Sequence, residues 1–446
     1  MFSKVPQYAL RAIEILQGHG FQAHLVGGCV RDILMGREPQ DYDINTNAMP
    51  QQMQRAFEGY RQVKTGIKHG TLSVWIENHQ IEITTYRRDG KYSDGRHPDS
   101  VELGAELRDD LARRDFTINA MCWTPQGGLV DMFGGQEDLI NKTIRCVGDP
   151  EERFREDALR ILRALRFASV LDAQIELHTD AAVRSMAELL NRVSAERCAV
   201  ELTKLLCGSA AGRVVQAYPA VLDTILPGLG QMRGYNQDNP HHCYTLLEHT
   251  ARVVDAVPPQ PVERLAALLH DIGKPACRTV DQAGIAHYRG HVDVSAEMAR
   301  QILEGLRFDG ATVEAVVQLV KHHDVNVDNI SEAGIRRMMG RLGVETFDML
   351  ISLKMADNLA QNRELSDRIP NLERICSIEQ QILEKQSPYK LSQLEINGDD
   401  LIDIGYKPGP AVGNVLRELL DMVVEDRISN SREALLAAAK ELMKDN

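Results

Sequence analysis

The spacing of apolar residues along the chain changes character near residue 150. Before it, short stretches alternate apolar and polar positions, the period-two pattern of half-buried strands. "GTLSVWIE" and "QIEITTYR" read as a hairpin pair, "AHLVGG" as a strand running into a Gly-Gly turn, and "DYDINT" as a second strand. Two helices are expected among them: an N-terminal one with Leu10, Ile13 and Leu16 on one side, and "CVRDILMG", closed by Gly36. After residue 150 the strand signal fades. "EDALRILRALRFASVL", "VERLAALLHDIG", "AEMARQILEGL" and "NVLRELLDMVV" all carry apolar residues at helical spacing. The expected fold class is therefore α+β, a head with a small sheet followed by an elongated all-α neck, body and tail.

Turn-forming stretches suggest where to divide it. Breaks are expected at Asp149-Pro150, in "GYNQDNPHH" (234–242) and around Ser366 to Pro370. The resulting division is 1–147 head, 148–233 neck, 234–367 body and 368–446 tail. At 446 residues the chain is too long for one hydrophobic core, which agrees with several domains. No apolar run approaches the roughly 20 residues that span a bilayer, so no membrane partner is expected. The eight cysteines include no CxxC pair, and a reducing, cytoplasmic compartment is expected. The formal net charge of −13 argues against a generic nucleic-acid binder. However, Lys142, Arg145, Arg153, Arg155, Arg160, Arg163 and Arg166 crowd into one short region, which predicts a local phosphate-binding surface.

The chemistry in the head starts from a conflict. On a strand, Asp41 and Asp43 point the same way, and two adjacent carboxylates repel unless a cation lies between them. Mg²⁺ held by both would leave positions open for phosphates and a nucleophilic hydroxyl. Glu82, on a neighbouring strand, is a third carboxylate. Upstream, Gly27 and Gly28 let backbone amides approach an anion closely, and Arg31 can reach a phosphate.

The run "LVGGCVRDILMGREPQDYDIN" resembles the signature of the class II tRNA nucleotidyltransferase and bacterial poly(A) polymerase family, which has a polymerase β-like nucleotidyltransferase head. The resemblance continues through "HGTLSVW", "DDLARRDFTINAM", "DMFGGQEDL" and "REDALRILRALRF", over about the first 170 residues. It implies that Asp41 and Asp43 bind Mg²⁺ and that Gly28, Arg31 and Arg114 contact the incoming nucleotide, with Asp115 and Asn119 near its ribose. The loop at 87–102 resembles one carried by family members that add the terminal A.

Base choice without a template has a reading in residue types. Taking "FREDALRILRALRF" as one helix, Glu156, Asp157 and Arg160 share a face, with Arg163 a turn further on. Cytosine and adenine both present an amino donor beside a ring-nitrogen acceptor, whereas guanine and uracil present the reverse. A carboxylate beside a guanidinium matches the first pair and mismatches the second. The resemblance implies that Asp157 and Arg160 read the base, with Glu156 in support and Arg163 also on the nucleotide.

The body carries a second constellation. His249, His270-Asp271 and Asp357, each expected on a helix, resemble in order the HD phosphohydrolase family, with His291, His322 and His323 between them. Mixed imidazole and carboxylate ligands suit Mn, Ni, Zn or Fe. The tail resembles that of CCA-adding enzymes, and the chain ends in "KELMKDN" rather than a basic run. The leading expectation is addition of 3′-terminal CCA to tRNA from CTP and ATP. The alternatives are an A-adding or CC-adding specialist, a poly(A) polymerase, an HD metal-dependent phosphohydrolase with a vestigial head, and a non-catalytic RNA-binding protein.

Overall fold

A computed structural model describes residues 2–90, 92, 99–362, 364 and 367–444. Residues 91 and 93–98 of the expected loop at 87–102, and Ser366 at the expected break, lie outside the described residues. The chain forms two compact units, Met1–Gly230 and Gln231–Asn446. No helix among the described residues is long and apolar enough to cross a membrane.

The first unit begins with α1 (Gln7–Gly18), β1 (Ala23–Val26), α2 (Gly28–Leu34), β2 (Asp43–Thr46) and α3 (Pro50–Ala56). Strands β3 (Arg61–Val63), β4 (Thr71–Ile76) and β5 (His79–Thr85) follow, then the short ribbon β6 (Arg87–Asp89) and β7 (Val101–Leu103). After α4 (Leu107–Ala112) come β8 (Met121–Thr124) and β9 (Gly128–Asp131). Seven strands make one sheet in the order β3-β4-β5-β2-β1-β8-β9. The expected hairpin is β4–β5, whose two turn residues, Glu77 (φ 50°) and Asn78 (φ 65°), have the positive φ values that tight hairpins favour. Ala9, Ile13 and Leu16 of α1 bury against Leu25, Ile44, Leu72 and Ile83 of the sheet. Each large apolar side chain so buried contributes roughly 1.5–3 kcal/mol.

The sheet fixes the acidic residues. β2 runs parallel to β5 in a register that sets Asp43 beside Glu82. Asp41 departs from expectation, because pairing begins only at Asp43 and Asp41 lies in the exposed lead-in to the strand.

The rest of this unit is mostly helical, apart from a short parallel pairing of Thr143–Ile144 with Gln174–Ile175: α5 (Gly135–Ile140), α6 (Pro150–Glu156), α7 (Leu159–Val170), α8 (Leu177–Ser185), α9 (Ala195–Leu206), α10 (Ala211–Ala217) and α11 (Pro219–Asp223). The helix expected to run unbroken through "FREDALRILRALRF" is broken at Asp157, which has φ −146° and ψ 102°. Its Oδ1 accepts from the Leu159 amide at 3.2 Å, so Asp157 caps the helix that follows. An aspartate is well suited to this, since its short side chain satisfies an otherwise orphaned helix-start amide. Asp149 does the same for α6, accepting from the Glu152 amide, with Pro150 as the first helical residue.

In the second unit, α12 (Leu246–Ala256), α13 (Pro261–Leu269), α14 (His291–Gly305), α15 (Gly310–His322), α16 (Glu332–Leu342) and α17 (Val344–Leu359) pack together. After α18 (Ile369–Glu384), the helices α19 (Gly398–Asp403), α20 (Pro410–Val424) and α21 (Arg432–Lys444) enclose a separate small core that includes Leu401, Leu419 and Leu435. His249 and Asp357 lie on helices as expected, whereas His270 and Asp271 follow the last residue of α13. There the chain turns close against α14, and a Cβ on Gly273 would lie 2.7 Å from the Ser295 amide nitrogen.

Candidate active site

Gly27 joins β1 to α2 with φ +82°, and a Cβ there would lie 2.7 Å from a terminal nitrogen of Arg114. The backbone conformation thus requires glycine, and the Arg114 guanidinium packs against its open face. Gly28 opens α2, with Arg31 one turn on. Asp43 is half-buried and its carboxyl is pushed up to about 6 by burial and by the charges of Asp41 and Glu82, against the pull of Arg114. Among the described residues, no Lys or Arg forms an ion pair with Asp41, Asp43 or Glu82. Three carboxylates whose charge Arg114 offsets only in part, beside a glycine turn, suit a hard divalent cation with oxygen ligands, and Mg²⁺ fits that donor set.

Behind the glycine turn runs a continuous polar network. Arg31 donates to Asn119 Oδ1 at 2.7 Å, and Asn119 Nδ2 donates to Asp115 Oδ1 at 3.0 Å. Asp115 Oδ2 accepts from Arg163 Nε at 2.8 Å, and Arg163 also lies 3.6 Å from Glu201. Burial alone would raise the Asp115 carboxyl, but Arg163 and Asn119 hold it well below the usual carboxylate range. The guanidinium groups of Arg31, Arg163 and Arg166 surround the Phe167 ring at 5.1, 5.5 and 4.1 Å from its centroid. Arg31, Asp115, Asn119 and Arg163 are therefore brought together.

The expected base-reading residues stand next to it with different partners. Arg160 pairs with Glu156 at 2.7 Å and donates to the Arg113 carbonyl at 3.0 Å. Glu156 is also held by Arg153. Asp157 pairs with Arg197 of α9 at 2.7 Å. The break at Asp157 thus separates the partners of the two residues: Glu156 holds the arginine and Arg197 holds the aspartate. Of the expected basic surface, Arg153, Arg160, Arg163 and Arg166 turn inward to carboxylates. Lys142 and Arg155 remain largely exposed, and each has an acidic neighbour.

Sequence reasoning missed Arg197, Glu201 and Asp110. Asp110 is fully buried and holds Arg113 at 2.7 Å, with its other oxygen accepting from Asn45 at 2.9 Å. Its signal was present in the spacing, because Arg113 and Arg114 lie three and four residues beyond it on the helix path. Arg197 and Glu201 gave no local signal, since they reach their partners through the packing of α7 on α9.

In the second unit the four expected ligands converge. His249 Nε2 lies 3.3 Å from His270 Nε2 and 3.0 Å from Asp357 Oδ1. Asp271 Oδ2 lies 3.2 Å from His270 Nε2 and 2.7 Å from Lys274 Nζ. His249, His270 and Asp271 are essentially inaccessible to solvent. Burial opposes ionisation of Asp357, but the hydrogen bond and charge of His249 hold its carboxyl far below the usual range. The Nδ1 atoms of His249 and His270 donate to the carbonyls of Ala360 and Ala267 at 3.0 and 2.8 Å. Those bonds place a proton on Nδ1 of each ring and turn both Nε2 atoms toward the carboxylates. A cavity of about 270 Å³ opens over the cluster, with His242, Lys274 and Arg289 among its lining residues.

Comparison with known proteins agrees with this division of the molecule. Residues 23–145 match the family described as Poly A polymerase head domain, and 172–219 match Probable RNA and SrmB- binding site of polymerase A. Residues 282–439 match tRNA nucleotidyltransferase domain 2 putative. The CCA-adding enzyme of Limosilactobacillus fermentum is 35% identical over 432 residues, covering 95% of this chain and 94% of that protein. That of Enterococcus faecalis is 31% identical over 433 residues, covering 97% and 95%. The crystal structure of the Bacillus stearothermophilus CCA-adding enzyme in complex with CTP superposes with a TM-score of 0.75 at 28% identity, covering 98% of each chain. With identity above 30% sustained along nearly its full length, the chain belongs to the CCA-adding enzyme family.

Proposed function

We propose that the first unit adds CCA to the 3′ end of tRNA from CTP and ATP, without a nucleic-acid template. The observation that carries this reading is the carboxylate trio Asp41, Asp43 and Glu82, without an ion-pair partner among the described residues, in a chain at least 31% identical to CCA-adding enzymes over nearly its whole length. In this reading Asp41 and Asp43 hold Mg²⁺ and Glu82 raises the negative field around them. The ion, when bound, neutralises triphosphate charge and acidifies the attacking tRNA hydroxyl. Gly27 and Gly28 let the phosphates approach the backbone, and Arg31 and Arg114 lie within reach of their charge. Asp115 and Asn119 hold Arg31 and Arg163 in place beside the sugar. Asp157 accepts from the amino group of cytosine or adenine while Arg160 donates to the ring nitrogen. Guanine and uracil would set donor against donor and acceptor against acceptor, which leaves buried polar groups unpaired.

The test offers the purified protein, with Mg²⁺, CTP and ATP, three tRNAs ending at the discriminator base, at C and at CC. Complete CCA on all three is the expected result. Addition of A alone to the CC-ended tRNA would replace this reading with an A-adding specialist, and CC without A would indicate the opposite one. Repeated A addition to unrelated RNA would identify a poly(A) polymerase.

A specific observation favours a second activity in the other unit. His249 and His270, with Nδ1 protons committed to carbonyls, turn their Nε2 atoms toward each other beside Asp271 and Asp357. That set suits a transition metal, in agreement with an HD-type phosphohydrolase centre. Release of phosphate from a nucleoside monophosphate by an Asp41→Ala, Asp43→Ala protein supplied with Mn²⁺ or Ni²⁺ is the expected outcome. Unchanged release after His270→Ala would exclude the centre as its source.

A further inference from the structure

The polar network behind the glycine turn of the first unit has an anchor of its own. Asn119 ends the single turn Thr117–Asn119, closed by the Ala120 amide donating to the Thr117 carbonyl at 2.9 Å. One turn of this tight, 3₁₀ kind is weakly held by its own hydrogen bonds. Its front is demanding, because the Asn119 amide accepts from Arg31 and donates to Asp115 at once. In the proposed reading Arg31 also serves the incoming triphosphate, so it cannot by itself fix the turn. The back of the turn is held elsewhere. Thr117 is 2% exposed, and its hydroxyl donates to Asp138 Oδ2 of α5 at 2.6 Å. Arg145 Nε donates to both oxygens of Asp138, at 3.2 and 3.1 Å, and the Arg145 carbonyl accepts from the Thr117 amide at 2.9 Å. Glu176 lies 3.5 Å from Arg145 Nη1 and caps α8 by accepting from the Thr179 amide at 3.0 Å. Because α5 opens with glycine it can press on the turn: a Cβ on Gly135 would lie 2.3 Å from the Thr117 carbonyl oxygen. A hydrogen bond to an ionised carboxylate is stronger than a neutral one, and burial strengthens it further.

We infer that Asp138 is a positioning residue of the nucleotide site, acting through Thr117 to hold the turn that presents Asn119. The inference rests on the reading of Arg31, Asp115 and Asn119 as groups beside the triphosphate and sugar. Asp138 works from the far side of the turn, so it steadies the site without sharing its charge. Loss of this clamp should weaken nucleotide binding and blunt the discrimination of ribose from 2′-deoxyribose. Affinity for tRNA should be unaltered.

The experiment measures addition by the full chain, with Mg²⁺, to tRNAs ending at the discriminator base and at CC. CTP and ATP are each compared with their 2′-deoxy forms. Thr117→Val removes the hydroxyl while keeping the shape of the side chain. Nucleotide KM should rise about tenfold, the factor for one lost hydrogen bond to a charged group, with kcat within about twofold and the tRNA KM unchanged. The preference for ribonucleotide should fall with it, Asp138→Asn should act in the same direction, and Thr117→Ser should restore both. Asn119→Ala, which removes the presented group itself, serves as the reference. Parental KM and ribose preference in Thr117→Val, beside altered values in Asn119→Ala, would overturn the positioning role. Parental values in Asn119→Ala would overturn the nucleotide-site reading beneath it. A fall in kcat alone would make the clamp structural only, and the inference would be lost. If Thr117→Val fails to fold, Arg145→Gln loosens Asp138 from its solvent side: a smaller shift of the same two readouts supports the inference, and none refutes it.

Discussion

The two ionisable clusters of this protein offer a cation opposite kinds of surroundings. In the first unit Asp41 is exposed, Asp43 is half-buried, and no cationic side chain among the described residues pairs with either. In the second unit the imidazoles are sealed from solvent and each has its proton placed by a backbone carbonyl. Open carboxylates suit a hard ion that keeps several waters and is shared with a triphosphate. A closed imidazole cage suits an ion that remains with the protein between turnovers. Under the proposed reading, the first site would be completed by its substrate and the second during folding.

The sharpest way to break the comparison is to remove each cluster and look for an effect on the other. Asp43→Ala is expected to lower nucleotide incorporation by at least about 10³-fold, an effect of the size seen when the groups stabilising transition-state charge are lost. Transition-metal content measured on the same preparation should be unchanged. A fall in both would show that the clusters are not independent.

The reciprocal change has a smaller expected effect. His249→Ala should reduce metal retention after dialysis by about 10- to 100-fold or more, while CCA addition stays within about twofold of the parent. Parallel loss of incorporation would assign the histidine cluster a role in the fold of the whole chain. Next in size is base choice. Asp157→Ala or Arg160→Ala should raise misincorporation of UTP and GTP relative to CTP and ATP by about 100-fold, read by competition kinetics. Selectivity equal to the parent would move base reading elsewhere in the site.

How these sites were visible in the sequence differs along the same line. The head's glycines, aspartates and the β4–β5 hairpin are local features, and period-two patterning with a Gly-Gly turn was enough to place them. The strand was drawn two residues too long because Asp41 continues the alternation that only sheet pairing ends. The break at Asp157 was hidden for a related reason. "EDALRILRAL" has helical periodicity on both sides, and the cap is legible only if an aspartate is allowed to start a helix inside an apolar repeat. Arg197 and Glu201 were not legible at all, since their partners lie 40 and 38 residues away in sequence. The histidines and Asp271 could be found singly, but not that one carboxylate faces four of the imidazoles, because its surroundings are set by separate helices and turns.

The smallest predicted effect follows from the same open geometry. An ordinary aspartate is protonated only near its usual value of 3.8, whereas Asp43 is pushed up to about 6 by burial and by Asp41 and Glu82. Below that pH a proton competes with Mg²⁺ for the site, so the Mg²⁺ concentration giving half-maximal incorporation should rise as pH falls from 7 to 5. About a tenfold rise over that interval corresponds to the last pH unit below the shifted value. Excess Mg²⁺ should restore the rate at pH 5, because metal displaces the proton that burial and repulsion favoured. Glu82→Gln removes one of the repelling charges and should shift the curve to lower pH. A half-maximal Mg²⁺ concentration independent of pH over this range would mean that Asp43 is paired with a cation before magnesium arrives.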